Sequence, residues 1–163
     1  MKNLKIGQRL TLSFGAVVAV LIILAAIAYT RLDKLDAAIS VVSNDRYPKT
    51  VNAHIIKDAL NETARNMRNA LLMTDAKQIK GELDTIAQGS ITISAALDRL
   101  DQTIKSEKGR TYVKALTDAR GRFTPLKDKF VALVEQDLRA EAQILLFAEV
   151  RPAQLEYLSL IHI

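Results

Sequence analysis

Between Asn61 and Asn69 the chain reads NETARNMRN, two guanidiniums set among carboxamides. On a helix, Asn61 and Arg65 are i,i+4 neighbours, as are Arg65 and Asn69, while Arg65 and Arg68 are i,i+3. With Met67 and Ala70 taken as inward a and d positions, Arg65 falls at f, Asn61 and Arg68 at b, and Asn69 at c. All four are therefore expected to point away from a core. Two guanidiniums flanked by amides can hold a carboxylate bidentately. The ordinary alternative is a solvated helix face on which Asp58 and Glu62 balance the charge. Asn61, Arg65, Arg68 and Asn69 are the candidate ligand-binding residues.

No second constellation competes with this patch. The only histidines are His54 and His162, and cysteine is absent, so the sequence offers no His/Cys metal set and no thiol nucleophile. Gly81, Gly89, Gly109 and Gly121 are scattered singly and do not make a phosphate-binding loop. The carboxylate pairs Glu82/Asp84, Asp98/Asp101 and Glu135/Asp137 fall on polar positions beside apolar seams, where solvated faces explain them. The expectation is a protein that is not an enzyme and takes no metal or cofactor. Lysine and arginine are not interleaved with aromatics and tryptophan is absent, which argues against a nucleic-acid partner.

The element upstream of the patch sets the compartment. Leu10 to Thr30 is an uncharged run of 21 residues fenced by Arg9 and Arg31. As a helix it would rise about 31 Å, close to the hydrocarbon thickness of a bilayer. It lacks the polar stripe of a soluble core helix. Ala26-Ile27-Ala28 has the small-x-small form of a signal cleavage site, but the apolar run is longer than a signal h-region, so an uncut anchor is expected. Lys2, Lys5 and Arg9 place residues 1–9 inside and everything after residue 30 outside. These three account for +3 of the formal charge of +5, so the basic balance is in part a topology signal.

Beyond the span the chain is helical material, poor in glycine, proline and aromatics. Ile79, Leu83, Ile86, Ser90, Ile93, Leu97, Leu100 and Ile104 step by 4 and 3 in strict alternation, and so do Tyr112, Leu116, Ala119, Phe123, Leu126, Phe130 and Leu133. An earlier seam runs through Ile56, Leu60 or Thr63, Met67, Ala70 and Thr74. A later one begins near Leu138 and passes Ala142, Leu145 and Ala148 toward Leu155. Helices are expected at about 31–74, 76–106, 110–135 and 138–158 of the sequence. Thr74-Asp75 should cap the second, and Gly109 suits a C-cap turn between second and third. Ser90 should bond back to its own helix, Tyr112 should be a core ring with a wet hydroxyl, and a kink is expected between Asn44 and Pro48. The predicted fold is all-α: a transmembrane helix at 10–30, then an antiparallel up-down four-helix bundle over 31–158.

In order and spacing, four blocks resemble the N-terminal part of bacterial methyl-accepting chemotaxis proteins with a four-helix-bundle ligand-binding domain. They are KIGQRLTLSFG from Lys5, NDRYPKT from Asn44, ARNMRNALLMTD from Ala64 and EVRPAQLEYL from Glu149. The resemblance implies an inner-membrane homodimer whose periplasmic bundle senses a small molecule or a periplasmic binding protein and passes a helix shift across the membrane. Relatives that bind amino acids hold them with arginines of the corresponding first helix, though the spacing of Arg65 and Arg68 does not reproduce that pattern. A carboxylate or amino acid is the suggested ligand. Family members continue the fourth helix into a second span and a cytoplasmic coil that couples to a kinase. Residues 159–163 (SLIHI) depart from the pattern, so a truncated or aberrant end is expected there and kinase coupling only through a region outside this sequence. Alternatives left open are the sensor of a membrane histidine kinase or cyclase, and a structural anchored bundle that senses nothing.

Overall fold

The computed structural model describes residues 5–162 and divides between Arg46 and Tyr47 into two compact units. The expectations for residues 1–4 and for Ile163 lie outside the described residues.

The first unit is one long helix, α1 (Ile6–Val41), followed by a π-helical turn, Val42–Arg46. Its described side chains are exposed, including Leu21, Ile22, Ile23 and Leu24. Thr11 and Thr30 donate their hydroxyls to the carbonyl oxygens of Gly7 and Ile27, both at 2.9 Å, which satisfies polar groups that hydrocarbon could not. Helix α1 is long and apolar enough to cross a membrane.

The second unit is all-α and forms the bundle. Its arms are α2 (Tyr47–Leu72), α3 (Ala76–Thr103), α4 (Glu107–Glu135) and a fourth arm built from α5 (Arg139–Leu145), a π-helical turn (Leu146–Val150) and α6 (Arg151–Ser159). Contacts run antiparallel between chain neighbours: Asn69 meets Glu82, Lys127 meets Ser90, and Arg122 meets Glu156. Gln154 closes the fourth arm onto α2 by donating to the carbonyl oxygen of Leu60 at 3.3 Å.

The turns follow from local chemistry. Asp75 caps α3 by accepting from the Gln78 N–H at 2.9 Å, and Ser106 caps α4 by accepting from the Gly109 N–H at 3.2 Å. Gly109 thus sits in the first turn of α4 and not at the C-cap of the helix before it. A side chain there would collide with Ile104 and Ser106, which explains the glycine. Helix α4 ends in a Schellman turn: the Leu138 N–H bonds the Leu133 carbonyl oxygen at 2.9 Å, and Asp137 holds the left-handed conformation, φ 58°.

The core is a stripe on each arm. Ile56, Leu60, Met67 and Ala70 face Ile86, Ile93, Leu97 and Leu100, and Leu116, Ala119, Phe123 and Phe130 complete the first three arms. Ile79, Leu83, Ile104, Leu126 and Leu133 are partly buried against it, whereas Thr74 is exposed. Helix α4 also buries Val113, Lys127 and Val134, one position along from the seam read in sequence. An arm packed between two neighbours buries more than one seam.

The fourth arm shows where the heptad reading failed. Ala142 and Leu145 are buried as expected, but Ala148 and Leu155 are exposed, and Leu146, Val150, Gln154 and Tyr157 are buried in their place. The π-turn at Leu146–Val150 explains the change of face, since a wider turn advances the register by about one residue. Its position has a cause: Pro152 follows two residues later, and a proline ring clashes with the carbonyl four residues back, here that of Ala148 in the middle of the widened turn. The π-turn Val42–Arg46 likewise precedes Pro48 by two residues along the chain, and it occupies the stretch where a kink was expected.

Tyr157 is fully buried against Phe123, ring centroids 6.4 Å apart, and its hydroxyl has no hydrogen-bond partner among the described residues. Burial raises its pKa far above the ordinary tyrosine value, with the Arg120 charge opposing weakly. The raised folded-state pKa keeps its stabilising contribution intact below the unfolded value of about 10 and erodes it above, because the unfolded chain there releases the proton first. Tyr157→Phe should therefore hold or raise stability at neutral pH, by up to about 1 kcal/mol, since an unpaired buried hydroxyl is removed. It should also flatten the alkaline fall in urea-unfolding free energy above about pH 10, measured beside the parent protein.

Candidate functional site

The four residues singled out in sequence lie on α2, and the bundle treats them unequally. Asn61, Arg65 and Arg68 are exposed. Arg65 Nη2 donates to Glu62 Oε1 at 3.2 Å, an i,i+3 pair with both side chains at least half exposed. Such a pair is held weakly and leaves the guanidinium available for exchange with another carboxylate. Among the described residues the Arg68 and Asn61 side chains make no hydrogen bond or ion pair, so their donors face solvent.

Asn69 departs from the outward placement expected of it. It is half-buried, and its Nδ2 donates to both Glu82 oxygens at 3.3 Å across to α3. The reason is geometric: α2 and α3 approach closely, so a position flanking the seam already meets the neighbouring arm. Gly89 sets that approach, for a Cβ there would lie 2.9 Å from Thr63 Oγ1. The face that remains open is Asn61, Arg65 and Arg68, with Asn69 acting as a strut beneath it.

A polar seam between α3 and α4 was not read from sequence as a unit. Lys127 is buried, yet its Nζ donates to Ser90 Oγ at 2.9 Å and pairs with Asp128 at 2.7 Å. Ser90 also bonds back to the Ile86 carbonyl oxygen at 3.3 Å, the self-satisfaction expected of it. One turn along α3, Ser94 Oγ accepts from Arg120, and nearer the α3–α4 turn Arg110 lies 3.9 Å from Asp101. The signal was available: Arg110, Val113, Thr117, Arg120, Thr124 and Lys127 step by 3 and 4 beside the apolar seam. Tyr112, expected in the core, is half-buried with Lys108 Nζ 5.9 Å from its ring centroid. Among the described residues no cluster of histidine and carboxylate side chains is arranged to hold a metal ion.

An exposed apolar helix followed by a bundle with an open cationic face has the make-up of a membrane sensor, and the comparison with known families agrees. The family described as a four-helix-bundle sensory module for signal transduction matches residues 3–162. The chain belongs to this family. Modules of this kind typify the N-terminal sensor of methyl-accepting chemotaxis proteins, and no catalytic family is indicated. No curated protein gives a significant match to the sequence. The chain is thus a sensory module for signal transduction of the four-helix-bundle type.

The unequal roles on α2 are testable by stability alone. Asn61→Ala, Arg65→Ala and Arg68→Ala should each change unfolding free energy by less than about 0.5 kcal/mol, as exposed substitutions do. Asn69→Ala should cost about 1 kcal/mol or more, because Glu82 loses its partner. Urea unfolding monitored by circular dichroism separates the two classes.

Proposed function

We propose that the sensory module is the extracytoplasmic ligand-sensing part of a bacterial chemoreceptor in the inner membrane, acting as a homodimer. The family assignment, joined to an exposed apolar α1 ahead of a bundle with an open arginine face, carries this reading. The ligand is a small carboxylate, amino acids included, held by Arg65 and Arg68 with Asn61 as an accessory donor. Asn69 contributes by tying that face to α3 through Glu82.

Dimerisation is supported by α1 beyond the apolar run. Leu32, Leu35, Ile39 and Val42 step by 3, 4 and 3, and each is about half exposed or more. Read as a parallel coiled coil, Leu32 and Ile39 are a positions, and Leu35 and Val42 are d positions. Arg31 then falls at g and Asp36 at e, the i to i+5 relation that pairs opposite charges across a parallel dimer.

Transmission would use the seam between α3 and α4. Hydroxyls facing Lys127 and Arg120 can exchange hydrogen-bond partners with smaller loss than an interlocked apolar surface, so the arms can shift between discrete registers. Ligand binding need favour one register by only a few kcal/mol to shift the populations.

Two measurements check the reading. In thermal unfolding of the full chain in detergent, at least one of acetate, succinate, citrate, L-aspartate and L-serine should raise the melting temperature. Arg65→Ala combined with Arg68→Ala should remove that rise without lowering the unliganded value, and no rise with any of the five would refute direct carboxylate sensing. The chain has no cysteine, so Ile39→Cys should give oxidative dimers in membranes while Ala37→Cys, at the outer f position, should not.

A further inference from the structure

A cavity of about 550 Å³ opens at the end of the bundle where the α2–α3 turn meets the α4–α5 turn. Its floor is apolar, built from Ile79 and Leu83 of α3 and Val134 of α4, all packed on the main core. Arg139 fixes the two turns together. It donates Nη1 to the Met73 carbonyl oxygen in one turn and Nε to Asp137 Oδ1, 2.9 Å away, in the other. Asp137, which holds the left-handed backbone conformation, accepts that bond with its carboxylate. The walls are therefore braced without a ligand.

The rim charges cancel in pairs except for one. Lys80 pairs with Asp84 at 3.2 Å, and Arg139 is spent on Asp137 and the Met73 carbonyl. Glu135 lines the same cavity and has no hydrogen bond or ion pair among the described residues. A carboxylate left over beside an apolar floor selects for a compact cation with an aliphatic tail. The ammonium would meet Glu135, while the tail covers Ile79, Leu83 and Val134 and leaves water. A carboxylate ligand would meet net negative charge here, the reverse of the Arg65 face.

We infer that this cavity is a second recognition site of the sensory module and takes a small primary alkylammonium ion. The inference rests on the sensor reading for its purpose but not for its binding chemistry, because it uses residues on different arms from Arg65 and Arg68. The ligand class is also opposite in charge, so each site can fail alone.

The test uses the full chain in detergent with 3-methylbutylamine, and with 3-methylbutanol and 3-methylbutanoate as neutral and anionic isosteres. Ligand-observed NMR saturation transfer at millimolar concentration should detect the amine, and titration should show both isosteres at least about tenfold weaker. Glu135→Gln should weaken the amine at least about tenfold, and Leu83→Asn should weaken it as well. Arg65→Ala should leave it unchanged. Equal binding of amine and alcohol, retention of amine binding in Glu135→Gln, or no detectable amine binding would each overturn the proposal. Loss of carboxylate response with amine binding intact would refute only the Arg65 reading.

Discussion

Burial of four apolar stripes against one another has to hold the bundle, since the chain has no cysteine to cross-link it. Ordering a backbone costs about 1–2 kcal/mol per residue, and only continuous burial along every arm offsets a cost of that kind. The fully buried Ile56, Leu60 and Met67 on α2, Ile86 on α3, Phe130 on α4, and Val150 and Tyr157 on the fourth arm mark the stripe on each. Ahead of Pro152 the backbone changes its helical pitch, whereas Pro125 is carried inside the unbroken α4. The π-turn before Pro152 keeps Val150, Gln154 and Tyr157 inward at the expense of Leu155, which turns out to solvent.

The same constraint divides the bundle into a tight half and a polar half. Small residues such as Gly89, with Thr63 against it, let α2 and α3 approach closely. Between α3 and α4, Lys127 and Arg120 reach Ser90 and Ser94, and the exposed Arg110 lies beside Asp101. A close apolar interface fixes one register, whereas hydroxyls facing long cationic side chains tolerate small displacements with partners retained. The proposed ligand face, strapped by Asn69 to Glu82, sits on the tight half. In the proposed mechanism, displacement at that face would pass through the tight half and be taken up along the polar seam.

Much of this was legible in the sequence. The alternating steps of 4 and 3 from Ile79 to Ile104 marked α3 because a helix with one apolar seam has one solution, and Asp75 marked its cap. The charge-free run from Leu10 to Thr30 announced an element that no core would cover. On the fourth arm the buried face beyond Leu145 was not legible, since a heptad count presumes a constant pitch and the π-turn at Leu146–Val150 breaks it. Asn69 was misplaced for a related reason: a register labels a position as outward without knowing how near the next arm stands. The cavity at the turns combines residues from three elements, so no local spacing could have revealed it.

The most direct test is the side of the membrane on which the bundle lies. Asp118 is exposed on α4, and Asp118→Cys would be the chain's only thiol. Treating intact cells that carry this variant with a maleimide small enough to pass the outer membrane but unable to cross the inner one should label the chain without lysis. Labelling that appears only after the inner membrane is broken would put the bundle on the cytoplasmic side and contradict an extracytoplasmic sensor.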